Sequence, residues 1–597
     1  MLDLIGLMRY NCSSEIAQEG TMFLKKSKKT YKNKGYETYA LTESYREGGK
    51  VKHKHIANLG ALTPEQAEQI RLVLKVQKSE DVFVGPLQHV VAKKHFRFLD
   101  VAVLDHYWRH FSLDVFFNDK IYPEAMATNR CLEPKSKIRI KGWTENTALP
   151  RLTGIECPGE YEIYRDLDEI AVAEKQLQQH LYQQYLKLGL AAEESYFYDI
   201  TSSYFEGGKC ILAAYGYSRD HRPDRKQVVI ALVITPEGYP LYWRVMPGNT
   251  QDVTTVKELV KELKERFGIK ECLLVFDRGM MSAENLKVLS RQDFTYTTAL
   301  DRDEIKGLGF LEPGFPELLG KEWRENLEQR RFRAYDNLYF REHSLSGKRY
   351  FVSYNRQLCE EQRESRRIRL AKAETFITAL NENLAQAKRS RSEDSTKGKI
   401  DRQLRNLNLH KVVTYRLRPL TLKSVGPGGK EKKINSFRVE YTIDETALKK
   451  QGSLDGVSCF LTNSQSLKPE QVILAYRRKN KIEEAFREIK SYLQVRPFYL
   501  TREERIRAHV CVCVLGYLLL NTLEEQLSHL ENPLSGPDAL AILGRCQLNR
   551  IGPKGSETYV ESITEPAPEQ LELLSELGLS YLVEAKFVDH LLEHSAM

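Results

Sequence analysis

Between Ser195 and Ala299 the chain changes rhythm in a way that few folds accommodate. SYFYDIT (195–201), QVVIALVIT (227–235) and YPLYWRVMP (239–247) are dense in β-branched and aromatic residues, and Glu237-Gly238 turns between the last two. Asp252 opens an amphipathic stretch to about Phe267, and ECLLVFD (271–277) is an apolar strand. Helical spacing returns from Ser282 to Arg291, and FTYTTA (294–299) is a further strand. The first three strands follow one another without a helix, so they are expected to pair antiparallel, and the whole order is β-β-β-α-β-α-β.

That order resembles the ribonuclease-H-like fold, whose carboxylates stand on the first strand, at the end of the fourth and on a later helix. Asp199 lies in the first of these strands and Asp277 ends the fourth. A lone Asp at a strand end more often caps a turn or a helix, so a third acid has to carry the argument. It comes from YRRKNKIEEAFREIKSYL (476–493). At about 100° per residue, with Tyr476 at zero, Lys479 falls near −60°, Glu483 near −20° and Lys490 near −40°. Ile482, Phe486, Ile489 and Leu493 form an apolar stripe beside that face, while Glu484 and Glu488 point away. A carboxylate at the edge of a buried stripe, flanked by two lysines and a tyrosine, suits a metal ligand next to phosphate-facing groups. The alternative is an exposed helix with an i,i+4 ion pair between Lys479 and Glu483.

The remaining 490 or so residues need several further domains, because 597 residues exceed one hydrophobic core. With 41% hydrophobic and 29% charged residues, folding is expected throughout. Val510 to Leu520 is the longest apolar run and is too short to span a bilayer, so it reads as a buried helix. No secretion signal is legible, and the cytoplasm, on the nucleoid, is the expected location. Ten cysteines without a Cys-x-x-Cys pair read as buried thiols rather than a zinc site. The net charge of +9 is unevenly placed: from Lys25 to Lys54 ten Lys or Arg face three Glu. Within that stretch, Tyr36 to Gly60 alternates like a hairpin turning at Gly48-Gly49.

The chain is similar, from about Gly35 to Leu520, to the DDE insertion-sequence transposases of the "insertion sequence four" superfamily. Members carry Tyr-x2-Arg-x3-Glu-x6-Lys around the catalytic glutamate, and here Tyr476, Lys479, Glu483 and Lys490 take those positions, with Lys in place of Arg. YDITSSYFEG around Asp199, GYSRDHRPDRKQV after it and LLVFDRGMMSAENL around Asp277 look like further family blocks. The resemblance implies a DNA transposase that cleaves at transposon ends and joins them to target DNA. It implies Mg²⁺, with Mn²⁺ able to substitute, held by Asp199 as the bridging ligand and by Asp277 and Glu483. Two such ions neutralise the transferring phosphate and activate water or a 3′-hydroxyl. Double-stranded DNA, both terminal inverted repeats and target, is the implied partner, bound by a homodimer or higher oligomer. Tyr476, Lys479 and Lys490 are expected on the DNA side, together with Arg222, Arg225 and Lys226 in the loop after Asp199, beside His221.

The expected class is therefore α/β: a ribonuclease-H-like core with a large mixed insertion between its last strand and the catalytic helix, preceded by a helical domain and a small β element. In residue numbers, an extension fills 1–21, the basic arm and β element 22–85, a helical DNA-binding domain 86–190, the first part of the core 191–300, the insertion 301–466, the second part with the catalytic helix 467–530, and a tail 531–597. Strands are expected in the insertion at 348–355, 437–444 and 456–463, with two basic helices between Glu360 and His410. Trp323 is expected to pack the insertion, with base stacking as the alternative. Asp252 reads as a helix N-cap and Asp301 as a turn residue. The other functional readings are a structure-specific nuclease of the same fold and a non-catalytic DNA-binding relic, the latter opposed by the presence of all three acids.

Overall fold

The computed structural model describes residues 21–31, 34–76, 87–191, 195–206, 210–220, 222–280, 282–425 and 431–593. Residues 1–20 of the expected extension and His221 lie outside them. The chain divides into two compact units: the residues up to His95 with Asn549–Ser562, and Phe96–Leu548 with the segment from Ile563 on.

In the first unit, β1 (Thr21–Tyr31), β2 (Lys34–Glu47) and β3 (Lys50–Gly60) form an antiparallel sheet in that order. Gly48 and Gly49 turn the β2–β3 hairpin with φ of 58° and 79°, the doubly positive pair that a two-residue turn with the strands' own twist requires. The helix Pro64–Val76 closes a small core of Leu24, Tyr39 and Ala67. The expected helical start at residue 86 is instead a short 3₁₀ turn and β4 (Val90–Arg97). β4 pairs with a strand from the expected tail, Gln547–Pro553, which is joined in turn by Val560–Ile563.

The second unit is built on a nine-stranded mixed sheet. Its first five strands are β5 (Ser195–Tyr204), β6 (Gln227–Ile234), β7 (Pro240–Pro247), β8 (Leu273–Phe276) and β9 (Thr295–Ala299). They lie in the order β7-β6-β5-β8-β9, with β5, β6 and β7 antiparallel and β8 and β9 parallel to β5. The sheet then continues through the stretch expected to be an insertion: β9 pairs with β15 (Val457–Thr462), β15 with β12 (Lys348–Tyr354), and β12 with β11 (Leu338–Leu345), which carries β10 (Arg333–Tyr335) at the edge. Helices Arg356–Ala385 and Glu393–Asn406 pack on the hairpin of β13 (Val413–Val425) and β14 (Glu431–Ile443) around Ile377, Leu404 and Val439, a core of their own.

Both faces of the central sheet are covered, which is why β6 reads as an unbroken apolar run. One face carries Glu160–Leu188 and Glu503–Leu527 with shorter helices between Leu99 and Thr153; the other carries Val256–Glu265 and Ala283–Arg291. The expected separate helical domain is thus a layer of the same core. Gln178 donates to the carbonyl of Trp243 at 2.8 Å, tying the long helix Glu160–Leu188 to β7. Glu503–Leu527 is long and apolar enough to cross a membrane, but it is buried inside the protein. Nine of the ten cysteines are described; all are free, and all but Cys157 are buried.

Candidate active site

Period-two burial fixes where the two strand acids point. On β6, Val228, Ile230, Leu232 and Ile234 enter the core under the helical layer, whereas Val229, Ala231 and Val233 enter the opposite core. On β5, Phe197 belongs to the first core and Tyr196, Tyr198 and Ile200 to the second, so Asp199 shares the face of Phe197. On β8, Val275 belongs to the first core and Leu274 and Phe276 to the second, so Asp277, just past the strand, continues on that same face. The parallel register pairs Tyr198 with Phe276, and the next residue on each strand is an aspartate. Adjacent strands run about 4.8 Å apart, which sets Asp199 and Asp277 side by side.

Glu483 reaches this face from a helix that is not continuous. Pro469–Arg478 begins with proline in its first turn, the ladder breaks at Lys479, Asn480–Arg487 follows, and Glu488–Tyr492 is a π-helical turn. Ile482, Ala485, Phe486 and Ile489 join the core that holds Phe197 and Val275, which lays this helix over the two aspartates. Lys479 is 5% exposed and donates from Nζ to Glu483 Oε1 at 2.9 Å. Burial opposes the Lys479 charge, but Asp199, Glu483 and Asp277 outweigh it and raise its pKa. Asp199, half-buried with a densely surrounded carboxyl, is pushed up to about 6 by burial, against the pull of Lys479. Asp277 and Glu483 remain exposed. The three acids thus converge on one ammonium group; among the described residues no three Asp, Glu, His or Cys side chains close into a ready-made cage.

Most of the expected DNA-facing residues hold partners within the chain. Tyr476 is half-buried with its ring 5.0 Å from that of Phe460, and burial pushes its hydroxyl up to about 12. Lys479 is enclosed by carboxylates rather than offered to phosphate. Lys490 lies in the π-helical turn, and its ammonium pairs with buried Asp220 at 2.9 Å, where Arg496 also binds at 2.6 Å. Burial lowers the Lys490 pKa despite that partner. Arg222 is held by Asp224 through two 2.8 Å hydrogen bonds, Arg225 pairs with Glu206 at 3.0 Å, and Lys226 is half-buried.

Other residues near the site were not legible as such. Asp252 does not cap a helix; its carboxylate pairs with Arg219, whose charge in turn acts on Asp199. Asp220 and Arg219 sit in the charge-rich run RDHRPDRK, where no periodicity separates one acid from another. Asp301 caps the helix Arg302–Gly307 through a reciprocal bond pair with Glu304. Trp323 packs edge-on against Tyr339 with ring centroids 5.5 Å apart, as the packing reading expected.

The transposase DDE domain matches residues 199–519, more than half of the chain, starting at the first aspartate and enclosing Asp277 and Glu483. The chain belongs to the DDE transposase family. The N-terminal domain of the IS1634 family transposases matches residues 24–81, which include all but the first three residues of the three-stranded sheet of the first unit. No curated protein matches the chain. The family makes this a DNA-cleaving and DNA-joining enzyme, and such domains generally use divalent metals.

Proposed function

We propose that this transposase cleaves at the ends of its own insertion sequence and joins them to target DNA by two-metal phosphodiester transfer, with Asp199, Asp277 and Glu483 as the catalytic carboxylates. The observation that carries the reading is the side-by-side placement of Asp199 and Asp277 beneath the helix of Glu483. The order β7-β6-β5-β8-β9, with acids on the first and fourth strands in sequence, supports a ribonuclease-H-like core. The donor set is all carboxylate oxygen, which fits Mg²⁺ or Mn²⁺. Bound there, two divalent ions would neutralise the transferring phosphate and activate the attacking water or 3′-hydroxyl.

The protein's own groups prepare the site. Lys479 balances the acids in the metal-free chain, so that Asp199 tolerates its enclosure. Arg219 is held by Asp252 within electrostatic range of Asp199, a cation positioned for the phosphate side of the site. Lys490 and Arg496 act through Asp220, whose carboxylate also accepts from the backbone N–H of Tyr204 at 3.3 Å, and so brace the end of β5.

Incubating the protein with Mg²⁺ and linear DNA carrying both ends of the element should yield joined products as well as nicked ends. Cleavage without joining would replace this reading with a nuclease, and binding without cleavage would replace it with a relic.

A further inference from the structure

The sheet of the first unit sorts its charges by face. Directly opposed residues on neighbouring strands share a face, and Leu24 opposite Leu41 and Tyr39 mark the face covered by the helix Pro64–Val76. β2 carries the only three acids of the sheet, Glu37, Glu43 and Glu47, and all lie in phase with Tyr39 and Leu41 on this covered side. Lys26 and Lys28 pair there with Glu37 at 2.7 and 3.0 Å, and Lys52 pairs with Glu47.

The opposite face has no acid at all. Its cross-strand sets are Lys25 with Ala40 and Asn58, Phe23 with Thr42 and His55, Thr21 with Ser44 and His53, and Arg46 with Val51; Phe23 packs edge-on to His53 with ring centroids 5.3 Å apart, and Thr42 between them is buried. Lys25, Arg46, His53, His55 and Asn58 are exposed, and neither Lys25 nor Arg46 forms an ion pair among the described residues. His53 stands in the last three-stranded row, with Ser44 and Thr21, and beyond it the sheet narrows to a short two-stranded β2–β3 ribbon that carries Arg46 on this face. A face whose exposed polar groups are all donors or cations, set around Phe23 and Val51, free of acids and ending in a two-stranded ribbon, has the chemistry and the size that enter the major groove of DNA, about 12 Å wide. Arg and Asn are the side chains that grip guanine and adenine edges there, and Lys25 suits a flanking phosphate.

We propose that this open face of β1–β3 lies in the major groove of the transposon-end duplex and reads its sequence. The inference rests on the transposase reading and adds to it the surface that recognises the substrate, in place of the helical layer first expected to do so.

The test uses the full chain without added divalent metal, so that nothing is cut. Fluorescence anisotropy compares a labelled duplex taken from the DNA flanking the gene with a shuffled duplex of the same composition. Lys25→Ala combined with Arg46→Ala should weaken binding to the flanking duplex by at least about tenfold and shrink its advantage over the shuffled one. Lys52→Ala combined with Lys54→Ala removes the same charge from the covered side of the same sheet and should change affinity by less than about twofold. Methylation of guanine N7 in the duplex should interfere with binding by the wild type and not by the Lys25/Arg46 variant. Thermal melts matching the wild type show that both variants fold. Equal losses from both pairs, or none from the open-face pair, would overturn the face assignment. A wild-type protein with no preference for the flanking duplex would instead overturn the transposase reading beneath it.

Discussion

Asp199 and Asp277 are placed by a sheet, whereas Glu483 is placed by a helix that changes pitch twice between Pro469 and Tyr492. In the sheet, each side chain on β6 has one core above it or another below, so a one-residue slip would exchange Ile230 and Leu232 for Val229 and Val233 and repack both cores. The aspartates inherit that certainty, since their direction follows from the burial of Phe197 and Val275. The helix has no such lock. Its 100° step holds only between irregularities, and each inserted residue rotates everything beyond by about that amount. A carboxylate's direction is thus secure in proportion to the number of buried neighbours that share its period.

The largest effect should come from the sheet-borne acids. Asp199→Asn and Asp277→Asn keep shape and remove charge, and each should reduce end cleavage by at least ~10³-fold while leaving binding of end DNA intact. Glu483→Gln should match them if the helix delivers its acid as securely as the sheet does. A cleavage assay with a binding control separates the two supports: a milder Glu483 defect would mark the helix as the adjustable one.

Next in size is Lys479→Met, which removes the ammonium on which the acids converge. Asp199 is then left half-buried without its counter-charge, at a cost of about 2–4 kcal/mol in the metal-free protein. Added Mg²⁺ should restore more thermal stability to this variant than to the wild type. Equal metal shifts for both proteins would show that Lys479 does not stand in for cation charge.

The same contrast explains what could be read from the sequence. The five core strands and their order, with the strand positions of Asp199 and Asp277, were legible because strands buried on both faces are short runs dense in β-branched and aromatic residues between turn residues. The π turn that holds Lys490 was not legible, because it leaves no mark in REIKSYL, whose residues would suit an ordinary helix. The continuation of the sheet through β15, β12 and β11 was not legible either: the strands at 348–355 and 456–463 were expected, but pairing across more than a hundred intervening residues is set by tertiary contacts. The pairing of Gln547–Pro553 with β4 is hidden for the same reason.

Lys490→Ala should therefore act on stability and not on DNA. Asp220 keeps Arg496 but loses one of two cations, for a loss of ~1–3 kcal/mol. The salt dependence of DNA binding should keep its slope. A slope reduced by about one would return Lys490 to the phosphate contacts.

Glu488, in the π turn, offers a pH test of the same segment. Burial beside Glu524 lifts its carboxyl to about 8, with Glu484 adding to the shift and Lys481 and Arg487 opposing it. Because the folded value lies above the ordinary 4.5, the folded chain holds this proton more tightly than the unfolded chain. Its contribution to stability is present at low pH and is lost as pH rises through about 8. Glu488→Gln should raise the melting temperature by a few degrees at alkaline pH, leave it unchanged in mild acid, and flatten the slope between. An unaltered slope would mean that the π turn leaves Glu488 in water.

The smallest effect decides the register of the helix itself. Glu483 and Glu484 are neighbours in sequence and both exposed, so neither composition nor exposure distinguishes them. What distinguishes them is direction: Glu483 accepts from Lys479 at 2.9 Å, while Glu484 adds its charge to the group of Glu488 and Glu524 on another side of the helix. Glu484→Gln removes a like-charge repulsion and should stabilise the fold by a few tenths of a kcal/mol at most. Cleavage and DNA binding should be unchanged, because the side chain points about 100° from the aspartates. If Glu484→Gln abolished cleavage while Glu483→Gln spared it, the helix would have to be rotated by one residue, and Lys479 would lose its place among the acids with it.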